Sequence, residues 1–370
     1  MHLHSGNLFG GIERAIITCV RNLQFAPHLR FEFAVCFSGT FRGELSALKQ
    51  PIHVLPEVRV RNPLSLIRAR RQLARILRMR TYDAVVCHST WTHSIFAPVI
   101  QGLGMPELFW AHDHYDGRHW LERWASRTAP NLVISNGEFS NESVEKLFPG
   151  VARQIVRNPV EIQRRHWSAA ERRQIRAEFG TADNTVAIVQ VSRMEAWKGH
   201  DLLLEAATRL RTSAPWKIWF IGGAQRPQEL SYLETLKTKA KHLGIADRVT
   251  FGGQHSDVPR VLAAADIFCQ PNRAAEPFGI VFIEALSQGL PVVTFNMGGP
   301  AEIVDPTCGV LVEPGNLKTL AAELDWLISD SALRRSLGEA GPARARQLCD
   351  PAVVLPQLQQ VITSLVGNSP

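Results

Sequence analysis

The chain has 370 residues, 45% of them hydrophobic and 20% charged. That balance excludes disorder, collagen and coiled coil, and the length suits two domains of roughly 150–200 residues each. Lys plus Arg number 41 against 34 Asp plus Glu, a net charge of +7 that suits anionic partners such as nucleic acid, lipid headgroups or phosphorylated substrates.

In chain order, only Met1–Ser5, which holds two histidines, precedes the first glycine loop, so either the first strand is very short or some residues are missing before it. A glycine loop, Gly6–Arg14 (GNLFGGIER), then leads into a helix over Ile12–Asn22. Apolar runs at Phe31–Phe37, Ile52–Leu55, Ala84–Cys87, Leu108–Trp110, Leu132–Ile134 and Ile155–Val156 read as strands, with helical patterns between them. The rhythm restarts after residue 180, at Ala187–Val191, Lys217–Ile221, Arg248–Phe251, Ile267–Cys269, Pro291–Phe295 and Val310–Val312. β-Branched runs separated by amphipathic helices indicate parallel sheets covered on both faces, and two such series indicate two doubly wound α/β domains. The divide is expected in Arg157–Trp167, where Pro159 interrupts a polar, basic segment. Val353–Val366 reads as one more helix.

The charge is localised. Arg59, Arg61, Arg68, Arg70, Arg71, Arg75, Arg78 and Arg80 face only one acid, Glu57, between residues 57 and 80; eight minus one equals the whole excess of the protein. Pro63–Arg80 reads as a basic amphipathic helix with Leu66, Ile67, Leu73, Ile76 and Leu77 on its apolar side. It is either a solvated helix packed on its sheet or a dock for an anionic membrane surface. It lacks the interleaved aromatics of RNA binders, so no nucleic-acid partner is expected. No apolar run approaches the ~18–20 residues of a membrane span. The N-terminus lacks signal-peptide features. The six cysteines include no C-x-x-C pair and several sit in apolar runs, which favours buried thiols in a reducing cytoplasm.

Four segments carry candidate chemistry. In EPFGIVFIEA, Gly279 opens an apolar helix whose leading N–H groups suit a phosphate, with Glu276 before it and Glu284 inside it; the alternative is a capped helix with two surface glutamates. In VQVSRMEAWKGHDLLL, Arg193 and Lys198 follow a strand end and suit a diphosphate; the alternative is a solvated loop. Gly10 and Gly11 open a second helix and fit a plain tight turn equally well. His112 follows Leu108–Trp110 directly, where a histidine can bond a substrate or shuttle a proton. The i, i+2 spacing of His112, Asp113, His114 and Asp116 does not match a structural zinc site, and no D-x-D is present, so no metal is expected. The chain has no G-x-S-x-G elbow, Walker loop or H-E-x-x-H helix.

Together, GGIER, the strand-end His112, SRMEAWKGHDLLLEA, EPFGIVFIEALSQGLPVV and GVLVEPGNLKTLAAEL resemble the family-4 retaining glycosyltransferases (glycosyltransferase group 1) over nearly the whole chain. The resemblance implies the GT-B fold, two Rossmann-like domains facing a central cleft. Residues 1–160, completed by helix 350–370, would bind the acceptor, and residues 161–349 the nucleotide-sugar donor. It implies that Arg193 and Lys198 hold the donor diphosphate, that Glu276 contacts the donor sugar, and that the Phe278, Gly279, Ile280 and Val281 backbone cradles phosphate. Glu284 would hold the ribose, His112 would line the donor sugar near the reacting carbon, and Gly11 would let acceptor and phosphate come close. The implied enzyme is a cytoplasmic, cofactor-free, metal-independent retaining hexosyltransferase of envelope or exopolysaccharide assembly, peripheral on the inner membrane face. Its implied donor is a UDP-sugar and its acceptor a saccharide or lipid-linked saccharide. The alternatives are a synthase with a soluble sugar or sugar-phosphate acceptor and a non-catalytic scaffold subunit. The family's G-G-x-P-E loop reads Gly298-Gly299-Pro300-Ala301-Glu302 here, with the proline shifted one place. The stretch Asp113–Trp120 is richer in histidine and aromatics than the family pattern and is a candidate for acceptor recognition.

Overall fold

The computed structural model describes residues 1–7, 9–162 and 167–367. The chain forms two compact units: Met1–Glu161 together with Cys349–Pro370, and Ile162–Leu348. Residues 163–166 of the expected divide lie outside the described residues.

The first unit is built from β1 (His2–His4), α1 (Gly11–Arg21), β2 (Phe33–Val35), α2 (Thr40–Ala47), β3 (Ile52–Val54), α3 (Pro63–Met79), β4 (Val85–Cys87), α4 (Thr90–Gly102), β5 (Glu107–Ala111), α5 (Trp120–Ala125), β6 (Leu132–Ser135), α6 (Glu138–Leu147) and β7 (Arg153–Ile155). Its seven strands are all parallel, in the order β3-β2-β1-β4-β5-β6-β7. Alternate residues face opposite layers, as the pleat requires. Leu3, Val85, Cys87, Phe109 and Val133 share a core with Leu73 and Ile76 of α3 and Ile95 of α4. Phe33, Val35, Val86, Leu108 and Ile134 share the other core with Ile16 and Val20 of α1. The order reverses between β1 and β4, and in open α/β sheets that switch point is where ligands bind.

The second unit follows the same plan: α7 (Ala169–Glu178), β8 (Val186–Val191), α8 (His200–Ala207), β9 (Trp216–Ile221), α9 (Pro227–His242), β10 (Val249–Gly253), α10 (Val258–Ala264), β11 (Ile267–Gln270), α11 (Ile280–Ser287), β12 (Val292–Phe295), α12 (Gly299–Ile303), β13 (Gly309–Val312), α13 (Leu317–Ser329) and α14 (Ser331–Cys349). Its six parallel strands run β10-β9-β8-β11-β12-β13, with the switch point between β8 and β11. The last helix, α15 (Pro351–Gly367), buries Val354, Leu355, Leu358 and Val361 in the second core of the first unit, and Val160 N–H donates to Cys349 O at 2.8 Å.

Helix α3 starts where Asn62 caps it, the Asn62 side-chain oxygen accepting from Leu64 and Ser65 N–H. Leu73, Ile76 and Leu77 are buried, and Leu66 packs against that core. Ile67 corrects the expected apolar side. It is 42% exposed and lies among the arginines, because the sheet receives only the stripe through Ala69, Leu73, Ile76 and Leu77. Arg70 leaves the exposed set: its Nε donates to Ile95 O at 2.6 Å. All six cysteines are free and buried. Among the described residues no helix is long and apolar enough to cross a membrane.

Candidate active site

At the carboxyl end of β8 the chain enters the loop that carries Arg193 and Lys198. Gly199 ends that loop at φ +71°, and a Cβ there would stand 1.8 Å from Pro271 O, so only glycine lets the loop lie against the end of β11. From β11, Gln270 and Asn272 lead to Glu276. These two strand ends, 78 residues apart in sequence, bring Lys198 and Glu276 together. Lys198 Nζ donates to Glu276 Oε1 at 2.8 Å and to Oε2 at 2.7 Å. Glu276 Oε2 also accepts from Asn272 Nδ2 at 3.1 Å and Gln270 Nε2 at 3.4 Å. The Lys198 ammonium lies 3.9 Å from the centroid of the Trp197 ring. Both charged side chains are mostly buried, at 11% and 14% exposure, so the pair is weakly screened.

Arg193 takes different partners. Its guanidinium reaches Glu195 at 2.9 Å and the buried Glu229 of α9 at 3.1 Å, while the side chain stays 45% exposed. The structure thus places the two expected diphosphate cations on one loop but in separate ion pairs.

Gly279 caps α11 in the left-handed region, at φ +94°. The leading N–H groups of α11, from Ile280 and Val281, have no acceptor within the helix and carry its positive dipole end. Phe278 is buried behind them, and Glu284 is half-buried on the same helix. The shifted proline of the Gly298–Glu302 loop is accommodated as the first turn of α12. Gly299 N–H donates to Glu276 O at 2.8 Å, and a Cβ on Gly298 would meet that oxygen at 2.5 Å. The glycine pair therefore lets the β12 loop support the Glu276–Phe278 turn directly.

In the first unit, Gly11 is the exposed first residue of α1. Two residues on, Glu13 accepts from Gly10 N–H at 2.7 Å and pairs with His4 at 3.1 Å. His112 is buried at the carboxyl end of β5, its Nε2 3.1 Å from His88 Nδ1. Burial is the main cause that pushes its pKa down to about 3, so it is a neutral ring. Among the described residues one group of three candidate metal ligands converges, Cys87, His93 and Glu107. They are enclosed in the core, and both His93 nitrogens are already engaged, with Glu107 Oε1 and Thr128 O, each at 2.7 Å. Burial, reinforced by Glu107, pushes the Cys87 thiol well up. His93 and Glu107 read as a structural pair, with the Cys87 thiol beside them.

Sequence reasoning missed Gln190, Gln270, Asn272, Glu195 and Glu229, and it passed over His88 and the Gly298–Gly299 contact. The available signal was a polar residue at the end of an otherwise apolar run, as in AIVQV and DIFCQ.

Two parallel doubly wound units, each with polar side chains gathered at its switch point, define the GT-B class of architecture. Comparison with solved structures agrees. The chain superposes on HepE of Anabaena in complex with UDP and glucose with a TM-score of 0.84 over 98% of each chain, at 23% identity. It superposes on a glycosyltransferase from Rickettsia africae with a TM-score of 0.86 over 100% of this chain and 98% of that one, at 19% identity. At these identities the likeness establishes the fold alone. Residues 171–344 match the family model for glycosyl transferases group 1, so the second unit belongs to that family. The chain is 32% identical over 180 residues to the GDP-mannose-dependent alpha-(1-6)-phosphatidylinositol monomannoside mannosyltransferase of Mycolicibacterium smegmatis, 46% of this chain and 45% of that one. It is 30% identical over 167 residues to the lipopolysaccharide core biosynthesis glycosyltransferase LpsE of Rhizobium meliloti, 45% and 46% of the two chains. The matches span about half the length of these relatives.

Proposed function

We propose that the protein is a metal-independent retaining glycosyltransferase that moves a sugar from a nucleoside-diphosphate sugar, in the first instance a UDP-sugar, to a saccharide or lipid-linked saccharide of envelope or exopolysaccharide assembly. The observation that carries this reading is the Lys198–Glu276 pair beside the amino end of α11 at a switch point. An ammonium and a helix N-terminus together suit the charge that grows on a departing diphosphate. Two of the three Lys198 N–H groups bond Glu276, which leaves one for an anion. Arg193, pinned by two carboxylates, offers its remaining donors to the same group, and Glu284 offers a carboxylate to ribose hydroxyls.

The hydrogen bonds on Glu276 also speak to mechanism. A carboxylate held by Lys198, Asn272 and Gln270 is fixed in place to receive sugar hydroxyls, and the Lys198 ammonium, bonded to both of its oxygens, draws off the charge that a nucleophile would use. We therefore favour attack on the same face as departure, with the leaving phosphate taking the acceptor's proton, over a covalent sugar intermediate. A glycosyl adduct on Glu276 or Asp113, detected by mass spectrometry, would overturn this.

The donor is tested by thermal shift with UDP, GDP and ADP, followed by donor hydrolysis. HepE was crystallised with UDP, whereas the mannosyltransferase relatives are named for GDP-mannose. Stabilisation by UDP alone supports the proposal, and stabilisation by GDP alone transfers it to a GDP-sugar.

We propose further that α3 docks on an anionic membrane surface. One stripe of the helix exposes Leu64, Arg68, Arg71, Arg75 and Arg78, with Ile67 beside it, and Leu64 is 63% exposed. Basic residues near such a surface contribute about 1 kcal/mol each. Reversing Arg68, Arg71, Arg75 and Arg78 to glutamate should abolish co-sedimentation with phosphatidylglycerol vesicles and leave hydrolysis of a soluble donor intact. Unchanged co-sedimentation would refute the dock.

A further inference from the structure

Between Arg193 and Lys198 the loop after β8 carries Glu195 and a half-buried tryptophan, Trp197. Consecutive side chains on a helical turn point apart. Trp197 and Lys198 share one short helical turn, Ala196–Lys198, and their side chains nevertheless meet, the ammonium 3.9 Å from the centroid of the indole ring. That is well inside the ~6 Å over which the negative face of a tryptophan attracts a cation. Two bonds hold the residue in this position. Its ring N–H donates to Glu195 Oε2 at 3.2 Å, and its backbone carbonyl accepts from Arg273 N–H at 2.7 Å. The other oxygen of Glu195 pairs with the Arg193 guanidinium at 2.9 Å.

These contacts form one row: Arg193, Glu195, Trp197, Lys198 and Glu276. Each carboxylate oxygen of Glu195 holds one neighbour, so the acid serves both a cation and the indole. At the other end, the Lys198 ammonium has the Glu276 carboxylate on one approach and the ring face on another, at 11% exposure. An ammonium on a flexible four-carbon stem samples many positions in water. Here it has little room to swing. Trp197 lies outside the core that Ile188, Phe220, Ile267 and Leu324 share, and its ring and its N–H both meet charged groups. That is the environment of a residue that places charge.

We propose that Trp197, turned by its bond to Glu195, is a positioning residue that holds the Lys198 ammonium against its face, so that Lys198 meets the departing diphosphate in one fixed place. Fixing a donor before the charge develops is what makes it worth more than the same donor in water. The catalytic consequence rests on the glycosyltransferase reading; the contact itself does not.

The test joins a spectroscopic reading to kinetics on the full chain, with melting curves as the folding control. In 1H–15N spectra of protein labelled with 15N-lysine, the Lys198 ammonium signal is assigned by its loss in Lys198→Ala. Protons over an aromatic face are shielded, so that signal should lie upfield in the wild type and in Trp197→Phe, and move downfield in Trp197→Leu. Trp197→Leu should lower kcat about tenfold, the rate equivalent of one hydrogen bond and one cation–ring contact together. The donor KM should change by no more than about twofold, because the ammonium answers to charge that grows on departure. Trp197→Phe, which keeps a ring face without the N–H, should lose about threefold. In the Lys198→Ala background Trp197→Leu should cost no more than about twofold, since it acts through the ammonium that is already gone. Trp197→Met takes the place of Trp197→Leu should the latter not fold. A wild-type kcat in Trp197→Leu, a full tenfold cost in the Lys198→Ala background, or an ammonium signal that stays in place without the ring overturns the proposal. The expected spectra in a protein that turns over no nucleotide-sugar would uphold the contact and sink the proposed function instead.

Discussion

Replacing Lys198 by alanine should lower sugar transfer by about 10²–10³, or ~3–4 kcal/mol of transition-state stabilisation, the usual loss when one preorganised donor is removed. The ammonium sits between a carboxylate and an aromatic face at 11% exposure, so water cannot replace it cheaply. The same substitution also strips Glu276 of its strongest partner, which separates two effects. Breaking the pair leaves a mostly buried carboxylate held by Asn272 and Gln270 alone, and that loss appears as reduced stability. In the Lys198→Ala/Glu276→Gln double variant the orphaned charge is gone, so the melting temperature should recover while transfer stays low. Steady-state kinetics with the donor that the thermal-shift comparison selects, beside melting curves, decide the matter. Recovery of transfer in the double variant would mean that Lys198 only balances Glu276 and makes no contact with the leaving group.

How much of this was visible in the residue order depends on the element. Strands buried on both faces leave continuous apolar runs, so β8, β9 and β12 fall within a residue or so of their expected limits. β7 shifts to Arg153–Ile155 from an expected Ile155–Val156, because it is an edge strand whose first two residues are exposed and need not be apolar. β1 has three residues, two of them histidine, so no apolar run marks it; it is buried because it lies inside the sheet, paired with β2 on one side and β4 on the other. The candidate residues were legible one at a time. Lys198 and Glu276 each stood out from their motifs. That they neutralise one another was not, since parallel pairing of β8 with β11 joins segments with no local relation. Gln190 and Gln270, fully buried at adjacent strand ends, read in sequence as interruptions of apolar runs.

The largest effect on stability should come from Glu107. Its carboxylate and the His93 ring are both fully enclosed at the amino end of β5. His93 is held between Glu107 Oε1 and Thr128 O, each at 2.7 Å, with Phe109 and Phe148 packed edge-on against the ring. Removing one partner of a buried pair leaves the other without compensation, at a cost of about 3–5 kcal/mol. At roughly 2–4 °C per kcal/mol for a unit of this size, Glu107→Ala should lower the melting temperature of the first unit by about 6–20 °C. The pair itself is a different matter. Two buried partners replaced together by apolar groups of similar volume are often neutral or stabilising. His93→Leu/Glu107→Met should therefore melt well above Glu107→Ala, and the double-mutant cycle should return a large coupling. Additive effects in that cycle would show that Glu107 stabilises the unit through some contact other than His93, of which Cys87 is the candidate, since Glu107 reinforces the upward shift of its thiol.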